Sequence, residues 1–205
     1  MPNNKSPSKG SAVLISLKKK GIKNMRIITG AFRGRRLASP KDLSVRPTSD
    51  KVKEAIFSMI SQDIDQSIVL DLFAGTGSLG LEALSRGAKH CYFIDSDRES
   101  VKLIKSNIEH CKADNQSTLF VGDFKYAMSK IKEPIDLAFL DPPYESKILD
   151  EALIKVGEIG FMAPGGLVVT EHGPKKIMPE TIGSLEKIKE KKYGHVHVTL
   201  YIVAS

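Results

Sequence analysis

Tryptophan is absent from this chain of 205 residues, and cysteine occurs only twice, at Cys91 and Cys111. The two thiols have no CxxC spacing and no histidine pair at ligand distance in the sequence. That argues against a disulfide scaffold and against structural zinc, and makes a reducing cytoplasm the expected compartment. No apolar run approaches the roughly 18 residues that a membrane-spanning helix needs, which excludes an integral protein of that kind. Residues 1–24 contain no arginine, and their apolar piece, Ala12–Leu17, is too short for a signal-peptide core. Internal repeats are also missing. The five histidines show no metal-ligand spacing beyond the alternating pair His195/His197, which reads as a solvated sheet edge, so no metal is expected.

What is present fits one α/β domain with a small addition. A chain of 22.5 kDa buries roughly 70% of its unfolded surface and needs no covalent staples. The net charge of +7 is unevenly spread: residues 1–53 carry 14 Lys+Arg against Asp42 and Asp50, while the remainder is mildly acidic. A basic arm on an acidic body suits a polyanion-binding appendage better than a merely solubilising tail.

Residues 1–24, with six lysines and loop-forming Asn, Ser, Pro and Gly, read as a disordered basic extension. Residues 25–47 read as a β-hairpin: Arg26–Thr29, a turn through Gly30 and Gly34, then Arg36–Ser39, closed by Pro47. A cap among Thr48, Ser49 and Asp50 then starts a helix, with Val52, Ala55, Ile56, Met59 and Ile60 as its apolar stripe. Strands follow at Ile68–Phe73, His90–Ile94, Thr118–Val121, Leu137–Leu140 and Leu167–Thr170. Helices at Ser78–Arg86, Arg98–Cys111, Phe124–Ile131 and Ile148–Ile159 alternate with them. This alternation predicts a mostly parallel sheet covered on both faces. Leu185–Lys192 and His195–Val203, joined by a turn at Tyr193-Gly194, predict a terminal antiparallel hairpin, and Cys91 is expected in the core.

Val69–Gly80 reads strand, glycine turn, helix start, and Gly75, Gly77 and Gly80 satisfy GxGxxG. Asp95, 20 positions beyond Gly75 at the end of the second strand, is placed to accept hydrogen bonds from ribose hydroxyls. The spacing alone suits a nicotinamide cofactor or S-adenosylmethionine. Asp71 tilts the choice toward the latter, because a carboxylate there repels a pyrophosphate but attracts the ammonium group of a methionine moiety. Asp123 could meet an adenine amino group, with Phe124 beside the ring. The candidate cofactor-binding set is Asp71, Phe73, Gly75, Thr76, Gly77, Asp95, Ser96, Asp123 and Phe124.

The fourth strand ends in Asp141-Pro142-Pro143-Tyr144. Two prolines remove backbone donors, so the Asp141 carboxylate and the neighbouring carbonyls make an acceptor-only corner suited to an –NH2 group. Tyr144 offers a face on which a planar base can stack. Accepting both amine hydrogens directs the nitrogen lone pair at a methyl donor and stabilises the positive charge that develops. Asp141, Pro142, Pro143 and Tyr144 are therefore the candidate catalytic residues.

These motifs, with Met25-Arg26-Ile27-Ile28, Arg33-Gly34-Arg35, Arg46-Pro47-Thr48-Ser49-Asp50 and Gly80–Gly87, make the chain from Met25 onward resemble the RsmD family. Members are class I methyltransferases dependent on S-adenosylmethionine. The resemblance implies a Rossmann-like seven-stranded sheet of order 3-2-1-4-5-7-6 with strand 7 antiparallel, and a methyltransferase domain over residues 48–205. It implies methylation of N2 of one guanine in bacterial 16S ribosomal RNA, within the assembling or assembled small subunit, by a cytoplasmic monomer that does not act at a membrane. Arg26, Arg33, Arg35, Arg36, Arg46 and Lys51 would then grip RNA phosphates. Many relatives have Glu where this chain has Asp95. An adenine-N6 methyltransferase of DNA or RNA remains the alternative, because the Asp-Pro-Pro-Tyr chemistry is shared. A nicotinamide-dependent oxidoreductase and a non-catalytic RNA-binding factor fit less well.

Overall fold

The computed structural model describes residues 25–40, 49–143 and 147–204. The expected basic extension, together with Arg46, Pro47 and Tyr144, lies outside the described residues. The strands are β1 (Ile68–Leu72), β2 (His90–Asp95), β3 (Ser117–Val121), β4 (Ile135–Leu140), β5 (Met162–His172), β6 (Thr181–Ile182), β7 (Leu185–Tyr193) and β8 (Val196–Val203). The helices are α1 (Asp50–Met59), α2 (Ser78–Ser85), α3 (Arg98–Cys111), α4 (Phe124–Met128) and α5 (Ile148–Val156).

One sheet runs β3-β2-β1-β4-β5-β8-β7-β6. The first five strands are parallel, whereas β8 is antiparallel to both β5 and β7. This is the seven-strand order that the family resemblance implied, extended at its edge by the two-residue β6. Period-2 alternation divides the sheet's side chains between two cores. Val69, Phe93, Leu137, Phe139 and Val169 pack with α1, α2 and α3. Leu70, Leu72, Ala138, Leu140 and Val168 pack with α4 and α5. Cys91 is fully buried, as expected. No helix among the described residues is long and apolar enough to cross a membrane.

Local chemistry sets the boundaries. Asp97 caps α3 by accepting the Ser100 N–H at 2.8 Å, and Lys112 ends it in the left-handed region. β5 is longer than its apolar run because Ala163–Gly166 forms a bulge between the pairs Ile135/Met162 and Leu137/Leu167. In α1 the buried stripe is Val52, Lys53, Ile56 and Phe57, continued by the buried capping residue Ile60. The expected Ala55 and Met59 are only partly buried. Phe57 reaches the sheet, its ring 5.5 Å from that of Phe139.

The hairpin is held by a single bridge, Arg26 to Arg36, with Ile27 N–H donating to the Arg35 carbonyl and Leu37 N–H to that of Met25. Met25, Ile27 and Leu37 are buried in the α1–α3 core, so this segment is packed into the domain. The histidine pair differs from its sequence reading. His195 is exposed, but His197 is buried on β8. Its ring centroid lies 5.6 Å from that of His172, and its Nδ1 lies 3.6 Å from Glu190. Flanked by β5 and β7, β8 is an interior strand and not a sheet edge, and the sequence alternation cannot reveal that flanking.

Candidate active site

The glycine turn connects β1 to α2 at the carboxyl end of the sheet, where open α/β folds bind ligands. Phe73 and Ala74 donate their N–H groups to the Ile94 carbonyl, at 3.0 and 3.1 Å, and this ties the turn to β2. Phe73 (φ +66°), Gly75 (φ +57°) and Gly77 (φ +74°) all adopt left-handed conformations. A Cβ on Gly80 would stand 2.4 Å from the Phe93 ring and 2.6 Å from Cys91 Sγ, so glycine is needed there for α2 to approach β2. A Cβ on Gly75 would meet nothing nearer than 3.9 Å, so this part of the turn faces open space.

Asp71 is buried, and its Oδ2 accepts the Gly80 N–H at 2.8 Å. Burial pushes its carboxyl up to about 8, against the pull of that hydrogen bond, and the charges of Asp141 and Asp95 add to the rise. Asp95 is half-buried and is also raised by burial. Its Oδ2 accepts the Gly75 N–H and its Oδ1 the Asp97 N–H, each at 2.8 Å. Three carboxylates from the ends of β1, β2 and β4 thus share one electrostatic neighbourhood. Asp141 is half-buried, Pro142 buried and Pro143 exposed.

Asp123 caps α4 by accepting the Tyr126 N–H at 3.0 Å. Phe124 is buried, with its ring 5.5 Å from Phe73 in an edge-to-face contact. Thr76 is buried, and its hydroxyl donates to Met25 Sδ at 3.0 Å; Ser96 is exposed.

Of the candidate phosphate-binding residues, Arg33, Arg36 and Lys51 are exposed. Arg26 pairs with Asp50 at 3.2 Å. Arg35 donates to the His110 carbonyl at 3.1 Å and lies over the Phe32 ring.

Sequence reasoning missed a polar network beneath the hairpin. Lys53 and Glu82 are almost wholly buried and form an ion pair at 3.3 Å. Lys53 Nζ donates to the Arg26 carbonyl at 2.6 Å and to Ser78 Oγ at 3.2 Å. Glu82 accepts the N–H groups of Ile28 and Thr29 at 2.7 and 3.0 Å, and Arg86 Nε at 2.9 Å. Asn107 exchanges hydrogen bonds with Ala38 and donates to the Thr76 carbonyl at 2.9 Å. The available signal was the position of Lys53 one and two turns before Phe57 and Ile60, inside the apolar stripe.

The sheet order and the glycine turn followed by α2 define a class I, Rossmann-like methyltransferase fold. A solved Escherichia coli structure, yhhF, provisionally named a methyltransferase, superposes with a TM-score of 0.78 at 31% identity, covering 88% of this chain and 98% of that one. The family model "Conserved hypothetical protein 95" matches residues 25–202, and the chain belongs to this family, the RsmD family. The Haemophilus influenzae protein named ribosomal RNA small subunit methyltransferase D is 35% identical, over 86% of this chain and 93% of its own. Bacillus subtilis YlbH, provisionally named an rRNA methyltransferase, is 38% identical over 86% of this chain and 98% of its own.

Proposed function

We propose that this protein transfers a methyl group from S-adenosylmethionine to the exocyclic N2 of a guanine in small-subunit (16S) ribosomal RNA, within assembling or assembled 30S particles. The observation that carries the reading is the meeting of buried Asp71 and half-buried Asp141 at the carboxyl ends of adjacent strands β1 and β4. One carboxylate serves a cationic cofactor and the other an amine. The family names of the relatives supply the substrate class.

The donor set fits the cofactor. Asp71 would take its ammonium group, Asp95 the ribose hydroxyls, the open side of Gly75 its approaching backbone, and Asp123 with Phe124 the adenine. When bound, the cofactor supplies an electrophilic methyl group. Asp141 and the Pro142 carbonyl would accept the guanine amine hydrogens, holding the nitrogen in line and stabilising the charge that grows on it as its bond to the methyl carbon forms and the sulfonium C–S bond breaks. One of those protons would then pass by way of Asp141 to solvent. Positioning of this kind accounts for up to about 7–11 kcal/mol of barrier lowering. The base must leave its stack to reach the corner, which favours loop RNA. The hairpin arginines would hold the flanking phosphates.

The test is methylation of 30S particles from a strain lacking the activity, using labelled S-adenosylmethionine and nucleoside analysis of the product. N2-methylguanosine is expected. N6-methyladenosine in its place would refute the guanine assignment, and no transfer to RNA would refute the function.

A further inference from the structure

We propose that Lys189 and Lys191, on the side of the acceptor corner away from the arginine hairpin, form a second contact surface for phosphates of the RNA substrate. The inference rests on the RNA-methylating reading above and extends it to a surface that neither motif nor charge asymmetry had marked.

Placement comes first. Because β8 is antiparallel to β5 and β7 to β8, the β7–β8 turn lies at the end of the sheet that carries Asp71 and Asp141. Lys191 is paired with Val198, and Val198 with Glu171. Glu171 follows Thr170, whose register partner is Leu140, the residue before Asp141. One line across β7, β8 and β5 therefore leads from Lys191 to the acceptor corner. Three strand spacings of ~4.8 Å put their backbones about 14 Å apart.

Orientation comes second. Leu185 and Lys187 are paired with Val203 and Tyr201, which pack on the α4–α5 side of the sheet. Lys187 stays on that side, donating to the Met178 carbonyl and pairing with Glu180. A bulge then admits Ile188 as an extra residue, and Lys189, Lys191 and Tyr193 are paired with Leu200, Val198 and Val196. Those three partners belong to the opposite core, the one shared by α1–α3, and Tyr193 packs against it. The strand's odd-numbered side chains thus change faces at the bulge, which carries the two lysines onto the face of Asp71 and Asp141. Re-aiming a side chain beside a site is a recurrent use of β-bulges.

The third observation concerns partners. Lys187 and Glu190 have ion-pair partners, whereas Lys189 and Lys191 are exposed and have none among the described residues. Lysines on an edge strand also discourage edge-to-edge pairing. That role asks only for charge along the edge and needs no bulge to select a face.

The test compares the Lys189→Gln/Lys191→Gln double variant with Lys130→Gln/Lys132→Gln, a pair of exposed lysines before β4 at the opposite end of the sheet. Binding to 30S particles from a strain lacking the activity is measured across a salt series, with methylation kinetics on the same particles and S-adenosylmethionine affinity alongside. For Lys189→Gln/Lys191→Gln, the slope of log K against log[salt] should become shallower by about 1.4, as expected for two lost contacts to single-stranded RNA. KM for RNA should rise while kcat and cofactor affinity hold, and the control pair should match wild type. An unchanged slope and KM would overturn the inference, as would an equal change in the control pair or self-association with RNA binding intact. A wild-type chain that neither binds nor methylates RNA would instead bring down the underlying reading, and this inference with it.

Discussion

Asp71 spends the ligand-free state largely as a carboxylic acid at neutral pH, because burial has pushed it up to about 8 from an ordinary 3.8. The folded chain therefore holds a proton that the unfolded chain releases between pH ~4 and ~8, and stability contributed at this position falls as pH rises through that window. Asp71→Asn keeps an oxygen for the Gly80 N–H without the buried charge. Thermal unfolding should show this variant gaining on wild type from pH 5 to pH 8, with a constant difference below pH ~4; a difference that stays the same across pH 5 to 8 would contradict the account. An ammonium group placed beside Asp71 draws it back to carboxylate. Titration calorimetry in two buffers at pH 7 should thus show up to about one proton released when S-adenosylmethionine binds. Asp71 was legible in the sequence because a carboxylate immediately before a glycine turn is chemically conspicuous. Lys53 was not, since a lysine on an amphipathic helix ordinarily faces water, and only the packed hairpin explains its burial.

Elements with strong local signals were readable almost to the residue: α3, between its Asp97 cap and its left-handed Lys112, and the end of β4 at Leu140, just before Asp141. The irregular ones were not. Bulges at Ala163–Gly166 and Ile188 depend on register with neighbouring strands, and the burial of His197 depends on β5 and β7 flanking β8. The hairpin's docking is equally non-local. Its backbone N–H groups at Ile28 and Thr29 find their acceptor in Glu82, more than fifty positions away. Glu82→Gln places an amide donor among those N–H groups and leaves Lys53 buried without its counter-charge. Breaking a buried pair from one side costs about 3–5 kcal/mol. The urea unfolding midpoint of this variant should fall accordingly, and an unchanged midpoint would show that the network does not hold the hairpin.

On the scale of the whole molecule, the acceptor corner stands between two basic surfaces, the arginine hairpin over α2 and α3 and the lysines of β7. The first was visible as a charge asymmetry along the chain. The second was hidden because β7 also carries Glu186 and Glu190, and only the bulge sorts its charges by face. Between them the account rests on Asp141, and Asp141→Ala tests it most directly. The account predicts that single-turnover methyl transfer to 30S particles falls by about a hundredfold or more, the scale of losing one preorganised electrostatic contact. Affinity for S-adenosylmethionine should not weaken, since removing the Asp141 charge makes Asp71 easier to ionise. Transfer at the wild-type rate in that variant would contradict the account.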